Sequence, residues 1–303
     1  MVHVLTALRR NVTGVWGDAG ERWLADLPDL LAGIATDWGL SLGAPYDLTF
    51  HYVAAVRCAD GTPAVLKVGF ELAVEAAALT AFDGRGAARL LRADLDRGAL
   101  LLEQVSPGGR LRDLVPASDT EATDVLAHLM RRLHVPPVPG LPTVLSQVGA
   151  LDRHRGPVPA DLVAEAAALM RALCATAPRE AVLHGDLHHD NVLRGTREPW
   201  LVIDPHGLVG DPGYEIGSIL FNPHPDDRDP ALTALVPARL EQLSAALGEP
   251  RDRLAAWGFV KAVLSSVWTA DSGGPLSRAL DVAHLLRPSE PRAGRYLRDA
   301  DGP

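Results

Sequence analysis

Lysine is nearly absent from this chain. Of 303 residues, 29 are basic, and only Lys67 and Lys261 among them are lysines; the other 27 are arginines. Alanine, glycine and proline are plentiful, so the pattern reads as the coding bias of a GC-rich genome. The two positions that keep lysine then invite a reason. Cysteine is scarce as well. Cys58 and Cys174 are too few for a disulfide framework or a cysteine-rich zinc site, and two free thiols fit a reducing, cytoplasmic setting. Long apolar runs are missing: no stretch reaches the ~20 residues that a membrane helix needs. Residues 1–23 are interrupted by Arg9, Arg10, Asp18, Glu21 and Arg22, so no signal peptide is read there. Excess positive charge is absent too, and the formal net charge of −9 argues against a dedicated nucleic-acid binder. The expected partner is a small molecule, with no nucleic acid and no membrane. Oligomeric state is written in no pattern.

What is present suits a folded α+β chain. Hydrophobic residues make up 47% and charged residues 22%, enough to bury a sizeable core. Residues 21–38 read as a helix, and 39–45 break it. Residues 48–57 and 63–68 read as strands joined by the Asp60-Gly61 turn, and the alanine-rich 71–82 as a helix. Two more apolar segments, 87–93 and 98–104, complete a β-rich region, and Ser106-Pro107-Gly108-Gly109 reads as a loop. Helical spacing dominates afterwards. Ser118 and Glu121 carry a capping-box signature, followed by apolar positions at 125, 126, 129, 130 and 133. Another helix is expected at 161–175, and two short strands at 181–183 and 201–203. The C-terminal hundred residues read as mostly helical, with breaks near 222–230 and 287–291. The division expected is an N-lobe at 1–103, a hinge at 104–109 and a helical C-lobe at 110–303.

The chemistry is densest in His184-Gly185-Asp186-Leu187-His188-His189-Asp190-Asn191, between the two short strands, the second of which ends in Asp204. Asp186, Asn191 and Asp204 then converge from neighbouring strand ends. Carboxylate and amide oxygens suit a hard cation such as Mg²⁺. Phosphoryl transfer uses such a set: one carboxylate orients the attacking hydroxyl, and two oxygen ligands hold the metal on the phosphates. The step of five from Asp186 to Asn191 is that of a kinase catalytic loop.

The His-Gly-Asp-Leu-His-x-x-Asn pattern at 184–191 resembles the aminoglycoside phosphotransferase superfamily, relatives of the protein kinases. Residues 202–207 and 210–217, with Leu101-Leu102-Glu103 and the proline-rich 136–142, resemble its aminoglycoside/hydroxyurea phosphotransferase branch, which includes the streptomycin 6-kinases. The resemblance spans roughly residues 40–275. It implies a protein-kinase-like bilobal fold and an ATP- and Mg²⁺-dependent transfer to a small-molecule hydroxyl, with an aminoglycoside foremost and hydroxyurea or another hydroxylated metabolite as alternatives. It also implies roles. Asp186 would be the catalytic carboxylate, and Asn191 and Asp204 the Mg²⁺ ligands. Lys67 would meet the nucleotide phosphates, Glu75 would hold Lys67, and Glu103 to Val105 would be the hinge that meets the adenine.

Plainer readings stand beside these. An Asp at a strand end is usually a turn residue, and a Lys there is usually solvated. His184 and His188 read as braces that hydrogen-bond backbone, and Glu215 as an acceptor for loop amides. Trp257 and Trp268 share a helix face and read as core before sugar platform. Asp226, Asp227, Asp229 and Asp271 are either an acidic acceptor surface or solvated carboxylates. The histidine-rich loop also admits a zinc or di-metal hydrolase, although Lys67 and Glu75 have no work in one. The segment 45–51, expected over the nucleotide phosphates, has no glycine, which leaves room for a non-catalytic nucleotide-binding relative.

Overall fold

A computed structural model describes residues 2–288. The chain divides into two compact units: residues up to Gly84 with Ala88–Val105, and Arg85–Ala87 with everything from Ser106 onward. The expected break near 287–291 falls partly outside the described residues.

The first unit is an antiparallel sheet with a helix on each face. Helix α1 (Val2–Trp38) is interrupted at Gly17, where φ 51° and ψ −130° join two helices at a kink; a φ of this sign is open to glycine without a Cβ penalty. The helix begins well before the expected residue 21. Its early turns bury Leu8 and Val12 completely, too narrow a stripe to stand out among Arg and Thr in the sequence. Strands β1 (Ser41–Pro45), β2 (Tyr52–Arg57) and β3 (Pro63–Val68) precede α2 (Leu72–Phe82). Strands β4 (Leu90–Asp94) and β5 (Ala99–Glu103) follow, and the sheet order is β1-β2-β3-β5-β4. Residues 48–51, expected in β2, lie before it. Leu48 turns into the core and His51 Nε2 sits 3.0 Å from the Phe70 carbonyl, so this segment has no ladder partner.

Pairing explains the two faces. Leu66 opposes Leu101 and Val68 opposes Ala99. With Ala54 and Val56 they pack against Leu27, Leu31 and Ile34 of α1, each large side chain contributing roughly 1.5–3 kcal/mol by leaving water. The alternate residues, Lys67 opposite Leu100 and Val65 opposite Leu102, point the other way. There Leu100 packs on Leu72 and Ala76 of α2.

The second unit is mostly helical. It opens with β6 (Pro107–Arg110), where a loop is expected. The strand exists because it pairs with a distant segment, β8, rather than through any alternation of its own. Helices α3 (Asp119–Leu133), α4 (Val148–Arg153) and α5 (Ala160–Ala175) follow. Ser118 precedes α3, but its side chain makes no cap hydrogen bond. The buried Arg239 guanidinium takes Asp119 instead and also donates to the Ile219 and Asn222 carbonyls. Strands β7 (Ala181–Leu183), β8 (Val192–Gly195), β9 (Trp200–Val202) and β10 (Leu208–Gly210) form two small sheets, β6-β8-β9 and β10-β7. Helices α6 (Ile216–Phe221), α7 (Pro230–Thr233), α8 (Val236–Leu247), α9 (Arg251–Asp271) and α10 (Arg278–Leu286) complete the unit. Helix α9 buries nearly its whole circumference, including Trp257, Phe259 and Val263. It is the central post of this unit. None of these helices is long and apolar enough to cross a membrane.

Candidate active site

In the first unit, Lys67 Nζ lies 2.6 Å from Glu75 Oε2, with both side chains buried. The strand alternation that sends Leu66 toward α1 sends Lys67 to the α2 face, and Glu75 in the first turn of α2 meets it there. Expected as a pair, the two are brought together. Glu103 ends β5; its amide donates to the Arg89 carbonyl at 2.9 Å, and its carboxylate accepts from the Arg89 amide at 3.0 Å. Val105 is half-buried at the last position of the unit. The segment before β2 is held by Asn11, which donates to the Thr49 carbonyl at 3.1 Å.

In the second unit, the loop from β7 to β8 presents Asp186, whose atoms are each held by a neighbour. Ser218 Oγ donates to Oδ1 at 2.8 Å, and His188 Nε2 lies 3.4 Å from Oδ2. The Asp186 amide donates to His184 Nδ1 at 3.3 Å, and its carbonyl accepts from the Asn191 amide at 3.0 Å. Burial pushes the Asp186 carboxyl up, but His188, Lys261 and His206 outweigh it and hold it well below the usual carboxylate range. It is ionised at neutral pH.

His184 is fully buried and spends both ring nitrogens on backbone, accepting from Asp186 and donating from Nε2 to the Ile203 carbonyl at 2.9 Å. Burial holds it neutral, at about 4. It is a brace between the Asp186 loop and the end of β9. His188 meets backbone as expected, with the Asp190 amide 3.2 Å from its Nδ1, and it also lies between two carboxylates. Burial pushes it down and the Asp190 amide faces its Nδ1, but Asp186 and Asp190 dominate and raise it to about 9. It is an imidazolium between two carboxylates, with Arg112 on the far side of Asp190 at 2.7 Å.

Asn191 and Asp204 sit at neighbouring ladder positions. Val192 pairs with Val202, and the Ile203 amide donates to the Asn191 carbonyl at 2.9 Å. Asp204 has φ 60°, a conformation that few residues other than Gly, Asn and Asp adopt, and its side chain is exposed. With its amide nitrogen committed to the Asp186 carbonyl, Asn191 has an amide oxygen to offer, and Asp204 has a carboxylate. This all-oxygen donor pair fits a hard divalent cation. Among the described residues no three His, Cys, Asp or Glu side chains are placed to hold a metal. His184 has both ring nitrogens engaged with backbone and His188 lies between two carboxylates, which speaks against the zinc or di-metal hydrolase.

Beneath the loop lie residues that the sequence pattern left without a role here. Gly185, at φ 84°, is held at both of its backbone polar groups. Its amide donates to both Glu215 oxygens at 3.2 Å, and its carbonyl accepts from Lys261 Nζ at 2.8 Å. Glu215 is the amide acceptor expected, and burial pushes it up to about 7. Ser218 carried no signal, and Lys261 none beyond the rarity of lysine, since a lone Ser or Lys within an apolar helix looks the same whatever it touches. Trp257 is core, its Nε1 donating to the buried Asp211 at 3.0 Å, while Trp268 is half-exposed above Lys261. Asp229 caps α7 through the Ala231 amide at 2.8 Å, and Asp271 accepts from His154 at 2.8 Å, so both have structural partners.

A small β-sheet unit with a buried Lys–Glu pair, followed by a helical unit with an Asp-x4-Asn loop and a strand-end Asp, defines a protein-kinase-like phosphotransferase. Comparison with known proteins narrows the class. The model of the aminoglycoside/hydroxyurea antibiotic resistance kinase family matches residues 43–273, and the chain belongs to that family. It is 36% identical over 270 residues to a hydroxyurea phosphotransferase of Kitasatospora aureofaciens, covering 85% of this chain and 77% of the relative. It is 33% identical over 291 residues to a streptomycin 6-kinase of Streptomyces griseus, covering 90% and 92%. The fold is similar to that of the choline kinase LicA from Streptococcus pneumoniae, with TM-score 0.62 and 13% identity over 90% of this chain and 99% of that one.

Proposed function

We propose that this chain transfers the γ-phosphoryl group of ATP to a hydroxyl of an aminoglycoside, streptomycin foremost. The observation that carries the reading is the Asp186 carboxylate, ionised and aimed by Ser218 and His188 within a loop that also presents Asn191. The acceptor oxygen attacks the γ-phosphorus, its bond to the bridging oxygen of ADP breaks, and the hydroxyl proton passes to Asp186. A carboxylate held so far below the neutral range is a weak base, so Asp186 orients the hydroxyl first and takes the proton late. Lys67, fixed by Glu75, offers a compact positive charge to the phosphates. Glu103 to Val105 would supply backbone groups for the adenine, the Glu103 amide itself being given to the Arg89 carbonyl. Asn191 and Asp204 would hold Mg²⁺, which neutralises charge on the transferring phosphoryl group. The full set of these residues supports an active enzyme over a non-catalytic relative.

The similarity to the streptomycin 6-kinase over 92% of its length supports an aminoglycoside acceptor. The 36% identity to a hydroxyurea phosphotransferase favours hydroxyurea as the second reading. A panel of streptomycin, other aminoglycosides, amino sugars and hydroxyurea, followed by coupled ADP release and by the mass of the product, separates the two. Streptomycin should gain one phosphate only when ATP and Mg²⁺ are both supplied. Turnover of hydroxyurea alone would move the acceptor to the second reading, and no acceptor-dependent ADP release would overturn the function.

A further inference from the structure

Lys261 sits on the central helix α9, 2% exposed. Its ammonium donates to the Gly185 carbonyl at 2.8 Å and to the Tyr214 hydroxyl at 3.0 Å, and lies 4.6 Å from the Tyr214 ring centroid and 5.0 Å from that of Trp268. Its stem runs against Gly217 of α6: a Cβ at Gly217 would lie 2.2 Å from Lys261 Cβ and 2.5 Å from Cγ. Space has been kept for this side chain at a point where two helices touch.

The fold alone does not call for a charge here. Burying an ammonium is unfavourable until its contacts offset it, and an apolar side chain of similar length fills such a site at lower cost. What the charge adds is a grip on the peptide unit that leads into Asp186. Glu215 holds the amide of Gly185 and Lys261 holds its carbonyl, so the residue before Asp186 is fixed at both polar atoms. We infer that Lys261 is a positioning residue for phosphoryl transfer, clamping the Gly185 carbonyl so that the Asp186 carboxylate keeps its aim at the acceptor hydroxyl. This inference rests on the proposed phosphotransferase reaction. Burial lowers the affinity of Lys261 for its proton, but Tyr214, Asp186 and Glu215 outweigh it, so the clamp is charged.

The test is Lys261→Met, which keeps the length of the side chain and removes the charge. The expected result is a kcat about 10- to 100-fold lower, as for a reacting group displaced by an ångström, with KM for ATP and for the acceptor each within about twofold of wild type. Hydrogen exchange of the peptide spanning residues 184–191 should be faster in the variant, a readout that needs no turnover. Gly217→Ala, which pushes on the Lys261 stem, should lower kcat in the wild-type background and much less in the Lys261→Met background. Unchanged kcat and unchanged exchange in folded Lys261→Met would overturn the inference, as would independent effects of the two substitutions. Should Lys261→Met not fold, Tyr214→Phe removes one acceptor of the ammonium and decides the matter: several-fold lower kcat with both KM values kept supports the clamp, and unchanged kcat overturns it. A wild-type enzyme that transfers phosphate to no acceptor, while exchange still speeds up in Lys261→Met, would sink the proposed reaction and leave the clamp standing.

Discussion

The two lysines of this chain are both buried, and they are neutralised in different ways. Lys67 in the first unit meets a carboxylate, Glu75 Oε2, at 2.6 Å. Lys261 in the second meets neutral oxygens, the Gly185 carbonyl and the Tyr214 hydroxyl, and two ring faces. An ammonium paired with a carboxylate has its charge balanced by that partner. One spent on a carbonyl and a phenol is committed to the protein itself. The buried arginines make a third case. Arg239 and Arg253 each bind a carboxylate together with backbone carbonyls, at Asp119 and Asp211 respectively. Their flat, many-donor heads tie helices together. The compact lysine heads sit where a point charge meets one or two oxygens.

Substitutions in the two units should separate these roles. The largest effect is expected from Asp186→Ala, with kcat falling by about 10³-fold or more and thermal stability nearly kept, since the side chain is only partly covered; steady-state rates and a melting curve check both. Lys67→Arg keeps the charge but not the compact head, and should lower kcat/KM for ATP by about 10- to 100-fold with the acceptor KM unchanged. A loss confined to kcat would erase the contrast with Lys261. Ser218→Ala removes one hydrogen bond to Asp186 Oδ1 and should cost about 3- to 10-fold in kcat, the value of one modest hydrogen bond.

The smallest effect is on pH-dependent stability, through Glu215. Its folded value, about 7, lies above the ordinary 4.5, so the folded state binds the extra proton. Its contribution is fully present below about pH 4.5 and is lost as pH rises through about 7. Melting curves across that range should show a decline that Glu215→Gln reduces, and identical slopes in the two proteins would remove the assignment.

Much of this was legible along the chain. The 184–191 loop carries its chemistry in eight consecutive residues, and Lys67 with Glu75 spans a single strand-to-helix turn, so local spacing placed them. The β-rich unit was readable because β2, β3 and α2 carry strong composition signals. The early turns of α1 and strands β6, β8 and β10 were not, since each is short and is stabilised by a partner remote in sequence. The Ser118 cap looked right by spacing, yet its side chain makes no cap hydrogen bond, and the neighbouring Asp119 binds Arg239, 120 residues away.

By itself, then, the sequence determined the reaction class: the Asp186-to-Asn191 loop and the strand-end Asp204 lie close together along the chain, and the repeated choice of arginine elsewhere made Lys67 visible. Tertiary structure alone decided what aims Asp186. Ser218 lies 32 residues and Lys261 76 residues beyond the atoms they hold. Their contacts exist only once α6 and α9 pack beneath the loop, because hydrogen bonds depend on ångström distances that helix packing, and no spacing along the chain, supplies. The second lysine, anonymous in the sequence, gains its place from that packing.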